Sequence, residues 1–373
     1  MKKRVLLLYG GRSGEHEVAL RSAASILMNL DPARFDVVPV AIDKQGRWLP
    51  QSSQLLSGSA PSPALPVSAT QSPVMLPANP QLNSSPALTS GAPFDVIFPV
   101  LHGTFGEDGT VQGLFELANV PYVGAGVLGS AIGMDKEVAK RLAKEAGIPI
   151  VPFVSFPAAH WTSLKYQERL QARICDELGF PCFVKPANSG SSVGIHKVKT
   201  AGGLDAAIRD AIQYDTKILV EKGINAREIE ISVLENREEG GEPRTSTVGE
   251  INPTHEFYSY EAKYLDENGA TFHIPAQLKS KEAQEAQELA RKIFAALACE
   301  GMARVDLFLD RDSGNFYFNE INTIPGFTSI SMYPKLWEAS GLSFQDLVSE
   351  LIELAIARHA RRNRLSRSFV APK

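Results

Sequence analysis

Arg304-Val305-Asp306-Leu307-Phe308-Leu309, a turn through Asp310-Arg311-Asp312-Ser313-Gly314-Asn315, and Phe316-Tyr317-Phe318-Asn319-Glu320-Ile321-Asn322 read together as a β-hairpin. Two apolar, alternating runs flank a turn rich in Asp and Gly. A period of two sets Arg304 and Asp306 on one face of the first strand and Glu320 and Asn322 on one face of the second. Three oxygen-bearing side chains and one cation therefore share a patch. With no Cys or His among them, such ligands suit a hard cation, and magnesium takes one or two protein carboxylates and completes its shell with water and substrate phosphates. That predicts a nucleotide beside the hairpin. An ordinary solvated hairpin would show the same alternation, so the rest of the chain has to decide between them.

At 373 residues the chain is long enough for two or three domains with their own cores. A net charge of -4 lacks the basic footprint of a nucleic-acid binder. The apolar run Val5 to Tyr9 stops at Gly10-Gly11 and reads as a first buried strand, not a leader. No apolar run is long enough to cross a bilayer, and the three cysteines, Cys175, Cys182 and Cys299, have no metal-ligand spacing. A soluble protein of a reducing cytoplasm, with no membrane partner, is expected.

In chain order, strand Val5 to Leu8, the glycine loop Gly10 to Gly14, a helix from Glu15 and strand Phe35 to Ile42 open a parallel, doubly wound α/β domain, whose ligands sit beyond the carboxyl ends of the strands. The loop is not a dinucleotide fingerprint, and Glu15 at the head of a helix would also complement the helix dipole. From 51 to 93 the composition turns to Ser, Pro, Ala and Gln, which predicts an irregular insert with a short strand near Pro73 to Leu76 and little buried apolar area. Strand Phe94 to Leu101 ends in His102-Gly103-Thr104-Phe105-Gly106-Glu107-Asp108-Gly109, a candidate site loop. Further on, Lys185-Pro186 precedes the glycine-serine loop Asn188 to Gly194, suited to a flap of backbone N–H groups over phosphates although it lacks the ending of a P-loop. The aromatic and charged stretch Thr254 to Tyr264 predicts a lid, ending near residue 275. Helix Ser280 to Cys299, the hairpin and a helix from Phe344 to Ala357 complete the order.

With these stretches lined up, the chain resembles the D-alanine:D-alanine ligases of the ATP-grasp superfamily. The resemblance rests on Gly10-Gly11 with Glu15-His16-Glu17-Val18, His102-Gly103 with Gly106-Glu107-Asp108-Gly109, Met134-Asp135-Lys136, Lys185-Pro186 with Gly190 to Gly194, Tyr260 to Tyr264, and Arg304-Val305-Asp306 with Asn319 to Thr323. It implies a three-domain ATP-grasp fold: an N-terminal domain over 1–134, a central domain over 135–224 and a C-terminal domain over 225–373. It also implies a homodimer formed through the first domain. ATP would lie between the second and third, with Lys136, Lys185, Ser192 and Lys263 toward its phosphates, Glu221, Lys222 and Ile224 framing the adenine and Glu228 on the ribose. Asp306, Glu320 and Asn322 would hold two magnesium ions, or manganese in their place. Glu15 would take the first D-alanine's ammonium, bonded to Ser191 and through it to Tyr264; Arg304 and the Gly326 N–H would form the oxyanion hole; Ser331, His102 and Met332 would border substrate. The product implied is D-alanyl-D-alanine, made through a D-alanyl phosphate for peptidoglycan precursors. Lys263-Tyr264 is similar to the dipeptide-forming branch of the family. Ala19, where a serine is common, and the 51–93 insert depart from its pattern. Two other readings stay open at this point: a ligase with another acceptor such as D-lactate, and a nucleotide-binding regulator without turnover.

Overall fold

The computed structural model describes residues 1–52, 64–68, 72–74, 94–253 and 269–367. Its first sheet contains β1 (Lys3–Gly10), β2 (Phe35–Ile42), β3 (Trp48–Pro50) and β4 (Val96–Leu101) in the order β3-β2-β1-β4. β1 runs parallel to both β2 and β4, and only the short edge strand β3 is antiparallel. Val5 to Tyr9 are wholly buried, as a central parallel strand covered on both faces must be. Alternation then divides the core. Val5, Leu7 and Tyr9 face α1 (His16–Asn29), while Leu6 and Leu8 face α2 (Thr110–Leu117) through Val111 and Phe115.

The Pro- and Ser-rich insert is less inert than its composition predicts. Leu65 and Val74 are buried in the first-domain core, Val74 bridges to Trp48, and the Gln51 amide is bonded to Leu49 and Ser68. Two apolar anchors are enough to tie a polar segment to a core, which average composition hides. Of the expected short strand at Pro73 to Leu76, the described part makes one bridge at Val74, and residues 53–63, 69–71 and 75–93 lie outside the described residues.

α3 (Val127–Met134) and α4 (Lys136–Glu145) lead into the second sheet, with Asp135 between them accepting from the N–H groups of Glu137 and Val138 as the cap of α4. That sheet joins β5 (Phe153–Pro157), β6 (Cys182–Pro186), β7 (His196–Val198) and β8 (Lys217–Lys222), all antiparallel in the order β5-β8-β6-β7. α5 (Ala158–Trp161), α6 (Leu164–Glu177) and α7 (Leu204–Ala211) close its core. Cys182 sits there as a buried thiol, its pKa raised to about 11 by burial.

The third sheet is antiparallel, β11-β10-β9-β12-β13, from β9 (Ala226–Leu234), β10 (Arg244–Pro253), β11 (Ala270–His273), β12 (Met302–Asp310) and β13 (Phe316–Asn322). The amphipathic helix α8 (Ser280–Ala296) covers one face together with Ala139 and Ala143 of α4. Two expectations need correction. The lid does not reach residue 275, because Ala270 to His273 are paired with Glu250 to Pro253; residues 254–268, with Lys263 and Tyr264, lie outside the described residues. The last helix, α10 (Phe344–Asn363), packs against the first sheet through Leu347, Leu351 and Ile352, and its Lys3–Glu353 ion pair and Arg358 bond to the Tyr122 carbonyl tie it there. Between them, α9 (Met332–Ala339) is a further helix that the sequence reading left as connection.

Candidate active site

The hairpin is β12 and β13, and its register pairs Arg304 with Asn322 and Asp306 with Glu320. A bulge after Asp306 offsets the following pairs, a device that re-aims side chains beside sites. Arg304 donates two parallel hydrogen bonds to Asp306, from Nε at 2.7 Å and Nη2 at 2.6 Å, and its Nε lies 3.1 Å from Glu230. Burial opposes the Arg304 charge, yet Asp306 and Glu230 outweigh it and raise its pKa. The Asn322 amide donates to Asp306 at 3.0 Å.

The opposite wall comes from α4 and the second sheet. Lys136, at the first position of α4, donates to the Ser189 carbonyl at 2.6 Å and lies 3.4 Å from Glu320. Lys185, near the end of β6, donates to Glu221 of β8 at 2.6 Å. The glycine-serine loop crosses above them, with Ser191 and Ser192 in the left-handed region at φ 50° and 60°. Two adjacent non-glycine residues there cost roughly 1 kcal/mol or more each, a cost that clusters at functional sites.

Glu15 enters from the first domain at the start of α1, and Ser191 Oγ donates to its Oε1. Gly103 and Gly190 close around that carboxylate: a Cβ on either would come within 2.5 Å of Glu15 Oε2. A side chain at either place would push that carboxylate aside, and Gly103 also has a φ of +73°. Glu107, behind Gly103, accepts from the N–H groups of Gly103 at 2.8 Å and Ile324 at 3.0 Å. Burial, with the nearby Glu15 charge adding to it, raises the Glu107 pKa to about 8.

His102 is buried, its pKa lowered by desolvation, with Nδ1 3.0 Å from the Ile324 carbonyl and Nε2 3.3 Å from Ser22 Oγ. Ser22 Oγ in turn accepts from the Phe327 N–H at 3.2 Å. The segment carrying Gly326 is thus pinned on both sides by first-domain residues. Ser331 Oγ accepts from the Thr328 N–H at 3.0 Å at the mouth of α9, and Met332 is buried against Ile251 and Leu336.

These groups border one cleft of about 1220 Å³, and so does every candidate residue named from the sequence that lies among the described residues, Lys222, Ile224 and Glu228 included. That exceeds the roughly 300–1,000 Å³ usual for a single small ligand and leaves room for a nucleotide with an amino acid beside it. Among the described residues no cluster of three or more His, Cys, Asp or Glu is poised for a metal. The hairpin offers instead two carboxylates and an amide, Asp306, Glu320 and Asn322. That oxygen set fits magnesium, which leaves most of its shell to water and phosphate. Sequence reasoning placed Glu107 in a candidate site loop without giving it a role, and missed Glu230 on the cleft wall and Lys140 beneath it. Glu230 could have been found, because it repeats the face of Glu228 two residues on along β9.

Comparison with known proteins agrees with this geometry. Residues 4–125 match the family model for the D-ala D-ala ligase N-terminus and residues 142–353 that for its C-terminus. D-alanine--D-alanine ligase A of Bradyrhizobium diazoefficiens is 52% identical, with 99% of both chains covered. The solved D-alanine-D-alanine ligase of Coxiella burnetii superposes with a TM-score of 0.80 at 37% identity, over 97% of this chain and 96% of that one. The VanG D-Ala:D-Ser ligase of Enterococcus faecalis gives 0.80 at 36% identity, over 95% and 100%. With both family models matched in order and the ATP-grasp sheets in place, the chain belongs to the D-alanine:D-alanine ligase family.

Proposed function

We propose that this protein joins two D-alanines into D-alanyl-D-alanine at the expense of ATP, releasing ADP and phosphate, for peptidoglycan precursor synthesis. The observation that carries the reading is a single cleft whose lining joins the Asp306, Glu320 and Asn322 patch, Lys136 and Lys185, and Glu15 held by Ser191. The cations suit polyphosphate and the Glu15 carboxylate suits an ammonium. A carboxylate attacking the terminal phosphate of ATP must overcome like-charge repulsion, and fixed cations in a low-dielectric cleft oppose it. Lys136, Lys185 and Lys263 supply that field, with Ser192 and the loop N–H groups beside them. Magnesium held by Asp306, Glu320 and Asn322 would shield the phosphate oxygens further. Glu221, Lys222 and Ile224 frame the base, and Glu228 takes the ribose hydroxyls.

Glu15 orients the first D-alanine through its ammonium. Arg304 and the Gly326 N–H stabilise the oxyanion when the second amine attacks the activated carbonyl, and Ser331 with the Met332 backbone receives the second carboxylate. His102 supports that end of the cleft through its bonds to Ile324 and Ser22. Tyr264 and Lys263 belong to the lid that excludes water from the acyl phosphate. The division at 134/135 and 224/225 follows the three sheets, with α10 assigned by packing to the first. We place the enzyme in the bacterial cytoplasm as a homodimer; among the described residues no helix is long and apolar enough to cross a membrane.

The likeness to a D-Ala:D-Ser ligase supports a second reading in which the acceptor differs. Phosphate release from ATP, with D-alanine alone and with D-serine, D-lactate or L-alanine added, separates the two when the products are weighed by mass spectrometry. D-alanine alone is expected to give the dipeptide; release that requires another acceptor would reject D-alanine as the second substrate.

A further inference from the structure

Beneath the floor of the cleft, three ionisable groups are stacked out of water. Lys140 lies one turn beyond Lys136 on α4, and its side chain is 1% exposed, against 2% for Glu221 and 9% for Lys185. Its ammonium is 2.6 Å from Glu221 Oε1, donates to the Phe318 carbonyl at 3.2 Å and lies 5.7 Å from the centre of the Phe318 ring. The other Glu221 oxygen takes Lys185 at 2.6 Å. Lys185 and Glu221 border the cleft; Lys140 does not.

The arithmetic of charge gives this stack a purpose. A buried cation needs a partner, and Lys185 meets Glu221, which taken alone would make a neutral pair with nothing left for a ligand. Lys140 approaches the same carboxylate from below; burial lowers its pKa and the Glu221 charge opposes that, and with Lys140 protonated the trio keeps one positive charge, whose member at the cleft is Lys185. We propose that Lys140 is a positioning residue: it satisfies Glu221 from the protein interior and thereby leaves the charge of Lys185 available to the nucleotide's phosphates. The inference rests on the nucleotide reading of the cleft given above. Glu228 and Glu320 also act on Lys185 from along the cleft, which makes the counter-charge behind it more necessary.

The test compares wild type, Lys140→Met and the double variant Lys140→Met/Glu221→Gln, with ADP and adenosine titrated against each and steady-state constants measured for ATP and D-alanine. Lys140→Met is expected to weaken ADP roughly ten- to hundredfold, the scale of one lost charge-assisted contact. Adenosine, which has no phosphate, is expected to bind as in wild type, and KM for ATP should rise with KM for D-alanine unchanged. Removing the carboxylate as well frees Lys185, so the double variant should recover most of the preference for ADP over adenosine that the single variant loses, whatever Glu221 contributes to the base. Equal losses for ADP and adenosine, or a double variant no better than the single one, would reduce Lys140 to a packing residue. If Lys140→Met does not fold, Lys140→Gln takes its place: a loss confined to ADP supports the role, and ADP affinity equal to wild type overturns it. Wild type that binds no ADP would overturn the nucleotide reading and this inference together; wild type that binds it beside an unaffected Lys140→Met overturns the inference only.

Discussion

Glu15 shows how few atoms fix a carboxylate in the cleft. Its carboxylate is gripped by Ser191 and walled by two residues without side chains, Gly103 and Gly190. Gly190→Ala would drive a methyl to within 2.5 Å of Glu15 Oε2. A misplacement of about 1 Å in such a contact costs on the order of 100-fold, so kcat/KM for D-alanine should fall by that order in steady-state assays while ADP affinity stays near wild type. A second prediction concerns Glu107, whose pKa burial raises to about 8. A carboxyl raised in the folded state holds its proton more tightly there than in the unfolded chain. The stability it contributes is therefore complete below its ordinary value near 4.5 and is lost as pH rises through about 8. Glu107→Gln, which cannot ionise, should flatten the fall of the thermal midpoint between those pH values; a slope equal to wild type would mean that Glu107 ionises at its ordinary pKa.

Among the elements, the hairpin was legible because strict alternation and an Asp- and Gly-rich turn leave little else for that sequence to form, and alternation also places the four polar residues together. The loops were legible for a related reason, since glycine, serine and carboxylates at strand ends do not build cores. α3 was not. Its glycines argue against helix by propensity, yet Gly129 lets the helix approach until a Cβ would stand 2.6 Å from the Ala298 carbonyl. Gly129→Ala should gain helix propensity and still destabilise the protein by about 1–3 kcal/mol through overpacking, read as a lower urea midpoint; a higher midpoint would show that the contact yields. α9 was hidden by Pro334, which a helix tolerates in its first turn. Lys140 was hidden because a lysine on an amphipathic helix reads as a solvent-facing charge, and only the tertiary fold brings Glu221 to it.

The whole molecule places its chemistry where three sheets converge, and the pinned 324–327 segment links the first domain to the third across the cleft. Ligands that bind the folded cleft and not the unfolded chain raise stability by mass action, about 2.7 kcal/mol at a hundredfold excess over the dissociation constant. ADP with magnesium should therefore raise the melting temperature, and chelation of the metal should reverse most of that rise without lowering the melting temperature of the protein alone. A fall in the ligand-free protein on chelation would instead indicate a structural metal.

If the cleft activates a D-alanine carboxylate by transferring the terminal phosphate of ATP to it, D-alanine labelled with ¹⁸O in its carboxylate reveals the transfer. Each turnover should carry one labelled oxygen into the released phosphate, with ADP as the nucleotide product. Unlabelled phosphate, or AMP with pyrophosphate, would contradict it.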